Sequence, residues 1–183
     1  MTTTTAFVQP STPKQIASRY KARLRRADFL SVLVYFSVAL VLALFFADKG
    51  AAYFATPSRI TTGLGIVTGL VGTDLLLVML LLAARIPLLD RTFGHDKLLA
   101  WHRKLGKPVF YLISAHMVLL LIGYGISEGI NPIAEIFSMI ETGSDMLITW
   151  AGFGFMVLVI VSSLVIVRKK LNYEFWFVVH LLS

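Results

Sequence analysis

Long apolar runs, separated by short polar connectors, dominate the sequence. Four of them occupy positions 29–47, 60–84, 108–126 and 146–167, and a fifth opens at Leu171. A helix needs about 20 apolar residues to cross a bilayer core about 30 Å thick. The pattern therefore predicts an all-α, polytopic membrane helical bundle with four complete transmembrane helices and the start of a fifth.

The fifth run reaches the end of the sequence at Ser183 after about 13 residues, which is too short to cross a bilayer. It is either re-entrant or part of a longer chain. A half-span ending in lipid would leave its last carbonyl groups without hydrogen-bond partners. We therefore favour the interpretation that the sequence is truncated within this helix.

The basic residues predict an orientation. Six precede the first run, six lie between the second and third, and three follow the fourth, so 15 of the 17 Lys and Arg residues share one side of the membrane. The connector between the third and fourth runs holds four carboxylates and no Lys or Arg. Cytoplasmic loops are the basic ones in membrane proteins. We expect residues 1–28 to form a cytoplasmic basic N-terminal arm, in a multi-pass protein of the cell (plasma) membrane.

The amino-acid composition excludes several classes of protein and several kinds of site. The chain is 57% hydrophobic and 15% charged, with mean hydropathy +0.79, which excludes an ordinary soluble domain. The absence of cysteine excludes disulfides, zinc–thiolate sites, iron–sulfur clusters and a catalytic thiol. The concentration of basic residues on the cytoplasmic side accounts for the net charge of +7. We therefore expect these residues to contact lipid headgroups, and we expect no nucleic acid as a partner of this chain.

Three of the four histidines lie in or beside the apolar runs, where a polar side chain is costly and tends to be functional. The interval from His102 to His116 is close to four full helical turns. On a helix this spacing places both rings on nearly the same face, about 21 Å apart. His180 follows the basic cluster after span four, at a depth similar to that of His102. Imidazole is a common axial ligand of haem iron, so the spacing predicts ligands for two haems in series, with His102 and His180 facing across one of them.

Basic residues near these histidines are further candidates. Haem propionates would be expected near the cytoplasmic end of this helix, where the sequence has Arg103, Lys104 and Lys107. The usual excess of Lys and Arg in cytoplasmic loops also explains these three residues. Arg59, at the outer start of span two, is a candidate for an outer propionate or an anionic product. A snorkelling interface arginine is the alternative.

Other residues have mainly structural interpretations. Asp74, in span two, is a candidate proton relay, but Thr73 and a neighbouring helix could satisfy its hydrogen bonds. The spacing of Gly65 and Gly69 is typical of close helix packing. His95 is expected to be a surface histidine.

The segments WHRKLGKPVFYLISAHMVLLLIGY and NYEFWFVVHLLS resemble the ferric reductase-like transmembrane domain of ferric reductases and NADPH oxidases, most closely its bacterial members. The resemblance covers residues 29–183 and implies six transmembrane helices, with two b-type haems between helices three and five. It implies that His102 and His180 ligate the inner haem and that His116 ligates the outer one. It also implies a partner for His116 about 13 residues, or roughly 3.6 helical turns, beyond His180.

The resemblance further implies a relay of electrons. Cytoplasmic NAD(P)H would reduce FAD in a flavin and nicotinamide reductase domain absent from this chain, and electrons would cross both haems to ferric iron or dioxygen outside. Arg59 would correspond to an arginine near the acceptor. Two alternatives stay open: a di-haem cytochrome subunit fed by quinol or a separate reductase, and a non-haem ion or proton transporter in which His116 and Asp74 line a polar path.

Overall fold

The computed structural model describes residues 12–48, 50–143, 145–163 and 172–182. Over these ranges the chain forms α-helices and one short 3-10 helix, Gly50–Tyr53. The α-helices are Pro13–Ala47 (α1), Pro57–Ala83 (α2), Pro87–Phe93 (α3), His95–Glu128 (α4), Pro132–Thr142 (α5), Met146–Ser163 (α6) and Tyr173–Leu182 (α7). Among them, α1, α2, α4 and α6 are long and apolar enough to cross a membrane, which confirms the predicted polytopic helical bundle.

Helix α1 joins the basic arm to the first span without a break. Its N-terminus is closed by a capping box, in which Thr12 and Gln15 each accept a hydrogen bond from the other's backbone N–H. Its 35 residues extend for roughly 52 Å, well beyond the hydrocarbon thickness. Arg23 Nε donates to the carbonyl oxygen of Thr92 at 2.6 Å and so ties the projecting half of α1 to α3.

Helices α2 and α4 are antiparallel and form the most extensive helix–helix interface in the described part of the chain. Small residues allow this close approach: a Cβ atom on Gly65 would lie 2.8 Å from Leu120 Cδ2, and one on Gly72 would lie 2.8 Å from Ile113 Cδ1. Gly123 of α4 contacts Thr62 in the same way. The packing role predicted for the glycines of span two is therefore present.

Helix α4 begins earlier than the apolar run predicted. It follows Gly94, whose φ of 89° suits glycine, and starts at His95 rather than at Pro108. Pro108 lies inside the helix, where it cannot donate to the carbonyl group of Lys104. The apolar run marks only the lipid-facing part of α4, because a helix continues through a polar interface, and the helix therefore includes His102 as well as His116.

Helix α5 lies within the acidic connector, and α6 and α7 follow it. Asn131 caps α5 by accepting a hydrogen bond from the Ala134 N–H at 2.8 Å. Helix α6 covers most of the predicted fourth span, but the end of that span and the basic cluster 168–170 lie outside the described residues. Helix α7 corresponds to the predicted fifth run and packs against α6.

Few apolar side chains are buried among the described residues: Leu82, Leu98 and Val109. Many large apolar side chains of the spanning helices are exposed instead, including Tyr35 at 77% and Ile148 at 74%. Exposed apolar surface on this scale is costly in water. The protein is therefore a multi-pass membrane protein whose outer surface is solvated by lipid.

Candidate functional site

His116 on α4 is held by the backbone of α2. Its Nδ1 lies 2.8 Å from the carbonyl oxygen of Gly65. A carbonyl oxygen can only accept, so Nδ1 carries the proton and the neutral ring presents an unprotonated Nε2. The ring rests against Gly69, where an added Cβ would lie 2.7 Å from His116 Cε1. Glycine at position 69 is therefore required for this ring position.

His102 is held in the same way, nearer the other end of α4. Its Nδ1 donates to the carbonyl oxygen of Met79 at 3.0 Å, which again leaves Nε2 unprotonated in the neutral ring. Histidines that ligate metals typically donate their other ring N–H to a carbonyl or carboxylate group. His102 and His116 therefore share one hydrogen-bond arrangement, which is the one common among metal-ligating histidines.

His180 on α7 lies beside His102. Their ring centroids are 6.2 Å apart and the ring planes are inclined by 69°. Two imidazoles that share one metal ion have centroids about 6 Å apart, since each metal–nitrogen bond is about 2 Å. His180 Nδ1 also lies 3.2 Å from Ser163 Oγ, and Trp176 stacks on the ring with centroids 5.1 Å apart.

These residues fit a haem better than a bare metal ion. Within the described ranges, no group of three or more His, Asp or Glu side chains converges in a way that could hold a metal ion. A porphyrin supplies four nitrogen ligands itself, so the protein needs to add only one or two axial ligands. The pair His102 and His180 meets this requirement, and His116 offers one further ligand.

Arg103 and Lys104 follow His102 on α4 and are exposed. The one ion pair found among the described residues joins His95 Nδ1 and Asp90 Oδ1 at 3.2 Å, so neither cation has a described carboxylate partner. His95, expected at the surface, is the partly exposed first residue of α4.

Arg59 lies beside a cavity of about 350 Å³ at the acidic end of the bundle. Besides Arg59, the polar side chains of the wall carry hydroxyl groups. The cavity is lined by Ala52, Tyr53, Arg59, Thr62, Tyr124 and Ser127. No carboxylate is among these residues. The sequence pointed to Arg59 but not to Tyr53, which reaches the cavity only because the 3-10 helix places it against the junction of α2 and α4.

Asp74 lines a second cavity, of about 390 Å³, between α1, α2 and α4, and His116 lines it too. Asp74 Oδ2 accepts a hydrogen bond from Ser37 Oγ of α1 at 3.0 Å. A neighbouring helix therefore provides the partner, as the sequence suggested, whereas Thr73 does not. Nothing in the sequence pointed to Ser37, which belongs to a different helix.

A comparison with protein families finds one match relevant to this site. The family described as "Ferric reductase like transmembrane component" matches residues 68–183, well over half of the chain. The matched region contains His102, His116 and His180, while Arg59 lies outside it. No curated protein and no solved structure is detectably similar to the chain.

Proposed function

The chain belongs to the ferric reductase-like transmembrane component family, and we propose that it carries electrons across the membrane through two b-type haems. Family membership supports a membrane oxidoreductase, and transmembrane electron transfer is the activity expected of its transmembrane domain. The observation that supports haem binding most directly is the shared hydrogen bonding of His102 and His116, each with Nδ1–H on an α2 carbonyl oxygen.

His102 and His180 would hold one haem, and His116 would provide one ligand of the other. A bound haem supplies reversible one-electron chemistry at iron, and filling both axial positions favours electron transfer over ligand exchange. The carbonyl groups of Met79 and Gly65 orient the two rings, so that each neutral imidazole presents its Nε2 to a ligand. Arg103 and Lys104 would neutralise propionates near His102.

The donor would be NAD(P)H acting through FAD in a reductase domain on the same side as the basic arm, which we assign to the cytoplasm. The acceptor would be ferric iron or dioxygen at the opposite face. The Arg59 cavity lies at that face, and its cationic and hydroxyl lining suits an outer propionate or an anionic species there.

One observation favours a second candidate, an ion or proton path. His116 and Asp74 line the same intramembrane cavity, as such a path would require. The hydrogen bonds that fix both side chains, to Gly65 and Ser37, also fit a rigid structural arrangement. The two functions differ in a simple property, because a protein that only conducts protons is colourless.

A reduced-minus-oxidised optical spectrum of the full-length protein, purified with haem available, tests the proposal. We expect b-type bands at about two haems per chain, with about one lost in His116→Ala and about one in His102→Ala. His95→Ala is the control and should keep both. Full occupancy in His116→Ala would refute the ligand assignment, and a folded, colourless protein with ion flux would favour the proton path.

A further inference from the structure

The cavity beside Asp74 lies near the middle of the membrane. Asp74 stands close to the centre of the apolar run 60–84. The cavity is bounded by Val41 of α1 and by residues of α2 and α4. A molecule that occupies it must therefore be soluble in lipid.

The mouth of the cavity faces the lipid. Thr73 and Leu77 line the cavity and are both exposed, the latter at 56%. Helix α1, which forms one wall, buries none of its residues. A molecule dissolved in the bilayer can therefore enter from the side.

One oxygen atom of Asp74 is unpaired within the described chain. Oδ2 accepts the hydrogen bond from Ser37, whereas Oδ1 has no hydrogen-bond partner among the described residues. The rest of the wall is largely apolar and includes Ile66 and Leu70. An acceptor without a partner is costly at this depth, and a ligand hydroxyl group would offset that cost.

We propose that this cavity binds the hydroxylated ring of a lipid-soluble quinol, with a ring hydroxyl donating to Asp74 Oδ1. The ring lies against Ile66, Leu70 and Val41. The volume of about 390 Å³ is that of a small-molecule site, and such sites combine apolar walls with few polar groups. A lipid acyl chain has no donor for Asp74, and a charged, water-soluble ligand does not partition to this depth. The wall also includes His116, proposed above as a haem ligand, so a haem that fills this cavity would exclude the quinol.

Equilibrium dialysis of the quinol analogue heptyl-hydroxyquinoline N-oxide tests this site. The full-length protein is placed in lipid nanodiscs, and empty nanodiscs give the background from partitioning. We expect saturable binding by the parent protein and loss of that binding in Leu77→Trp, whose indole blocks the mouth. Leu80→Trp is the matched control, because Leu80 is equally exposed one turn further along α2 and does not line the cavity.

A second variant tests the polar contact. Asp74→Leu removes the acceptor without leaving Ser37 unpaired, since Ser37 Oγ also donates to the Val34 carbonyl oxygen at 2.9 Å. The affinity for the analogue should fall about tenfold, as expected for the loss of one hydrogen bond in an apolar site. Unchanged affinity in Asp74→Leu, or equal binding by both tryptophan variants, would overturn the proposal.

Binding no greater than that of empty nanodiscs would also overturn the proposal. The haem spectrum recorded on the same samples keeps the two proposals separate. Loss of analogue binding in Leu77→Trp or Asp74→Leu at constant haem content concerns the cavity alone, while absence of haem from the parent protein concerns the proposed haem function.

Discussion

The Nδ1–H of His116 donates to the carbonyl oxygen of Gly65 across the interface between α2 and α4, at 2.8 Å. His102 makes the same bond to Met79 at 3.0 Å. The interval from Gly65 to Met79 along α2 equals the interval from His102 to His116 along α4. Antiparallel helices in constant register therefore repeat one hydrogen-bond arrangement at two depths, and helix α2 acts as the support for both rings.

Gly69 should be as necessary for the outer haem as His116 itself. In Gly69→Val the new side chain would overlap the imidazole and push it away from Gly65. We expect haem content in the full-length protein to fall from about two per chain to about one, measured by the pyridine haemochrome assay. Gly106→Val is the control, because a Cβ atom added to Gly106 of α4 would meet no neighbouring atom within 4 Å. Equal haem content in the two variants would contradict the role of Gly69.

Part of this arrangement could be predicted from the sequence. Apolar runs of membrane-spanning length predicted the helices, and the interval between His102 and His116 placed both on one face. Both patterns follow from the geometry of a single helix, so they can be predicted from the order of residues along the chain. The carbonyl groups that fix each tautomer belong to another helix, and only the register between α2 and α4 selects them.

The polar contacts were less predictable for the same reason. Ser37 and Asp74 meet across two helices, and Tyr53 reaches the Arg59 cavity through a 3-10 turn that has no hydropathy signal. The apolar run 108–126 does not mark the first turns of α4, because they lie in the polar interface before Pro108. Sequence patterns thus predict which polar side chains lie in the membrane, but not the groups on other helices that they contact.

His102 and His180 should behave as one unit. If both ligate the same iron, replacing either with alanine removes one axial ligand of a single haem, and replacing both costs no further haem. We expect about one haem per chain in each single variant and in the double variant. Measurement of haem content with electron paramagnetic resonance of the remaining centre checks this. Loss of both haems in the double variant alone would show that the rings serve different centres.

Glu135 should make stability depend on pH. This residue of α5 is 3% exposed and its Oε2 has no hydrogen-bond partner in the described structure. Burial, and then the nearby charge of Glu128, raise the pKa of the Glu135 carboxyl above its ordinary value of 4.5. The folded state therefore binds this proton more tightly than the unfolded state.

A raised carboxyl pKa makes folding less favourable as the pH rises from about 4.5 through the folded-state pKa. Glu135→Gln should remove this dependence and raise the melting temperature at neutral pH. Melting curves between pH 4 and pH 8, roughly the range in which carboxyl and imidazole groups titrate, provide the measurement. The control is Glu141→Gln on the exposed side of the same helix. A Glu135→Gln variant with an unchanged pH profile would contradict the assignment.

Ser37 and Asp74 should show an asymmetric response to substitution. Ser37→Ala removes the donor to Asp74 Oδ2 and leaves a carboxyl group unpaired inside the membrane, at a cost of about 1–3 kcal/mol. Asp74→Leu removes the costly group itself, so it should be nearly neutral or stabilising.

The double variant Ser37→Ala/Asp74→Leu distinguishes loss of the Ser37–Asp74 hydrogen bond from a packing effect. Once Asp74 is leucine, replacing Ser37 with alanine should cost little, because no carboxyl group then needs the hydroxyl. Thermal unfolding in detergent, at about 2–4 °C per kcal/mol for a chain of this size, measures the four members of the cycle. Ser31→Ala on the exposed face of α1 is the matched control. If Ser37→Ala costs the same with aspartate or leucine at position 74, the hydroxyl acts through packing, and the hydrogen bond contributes nothing to stability.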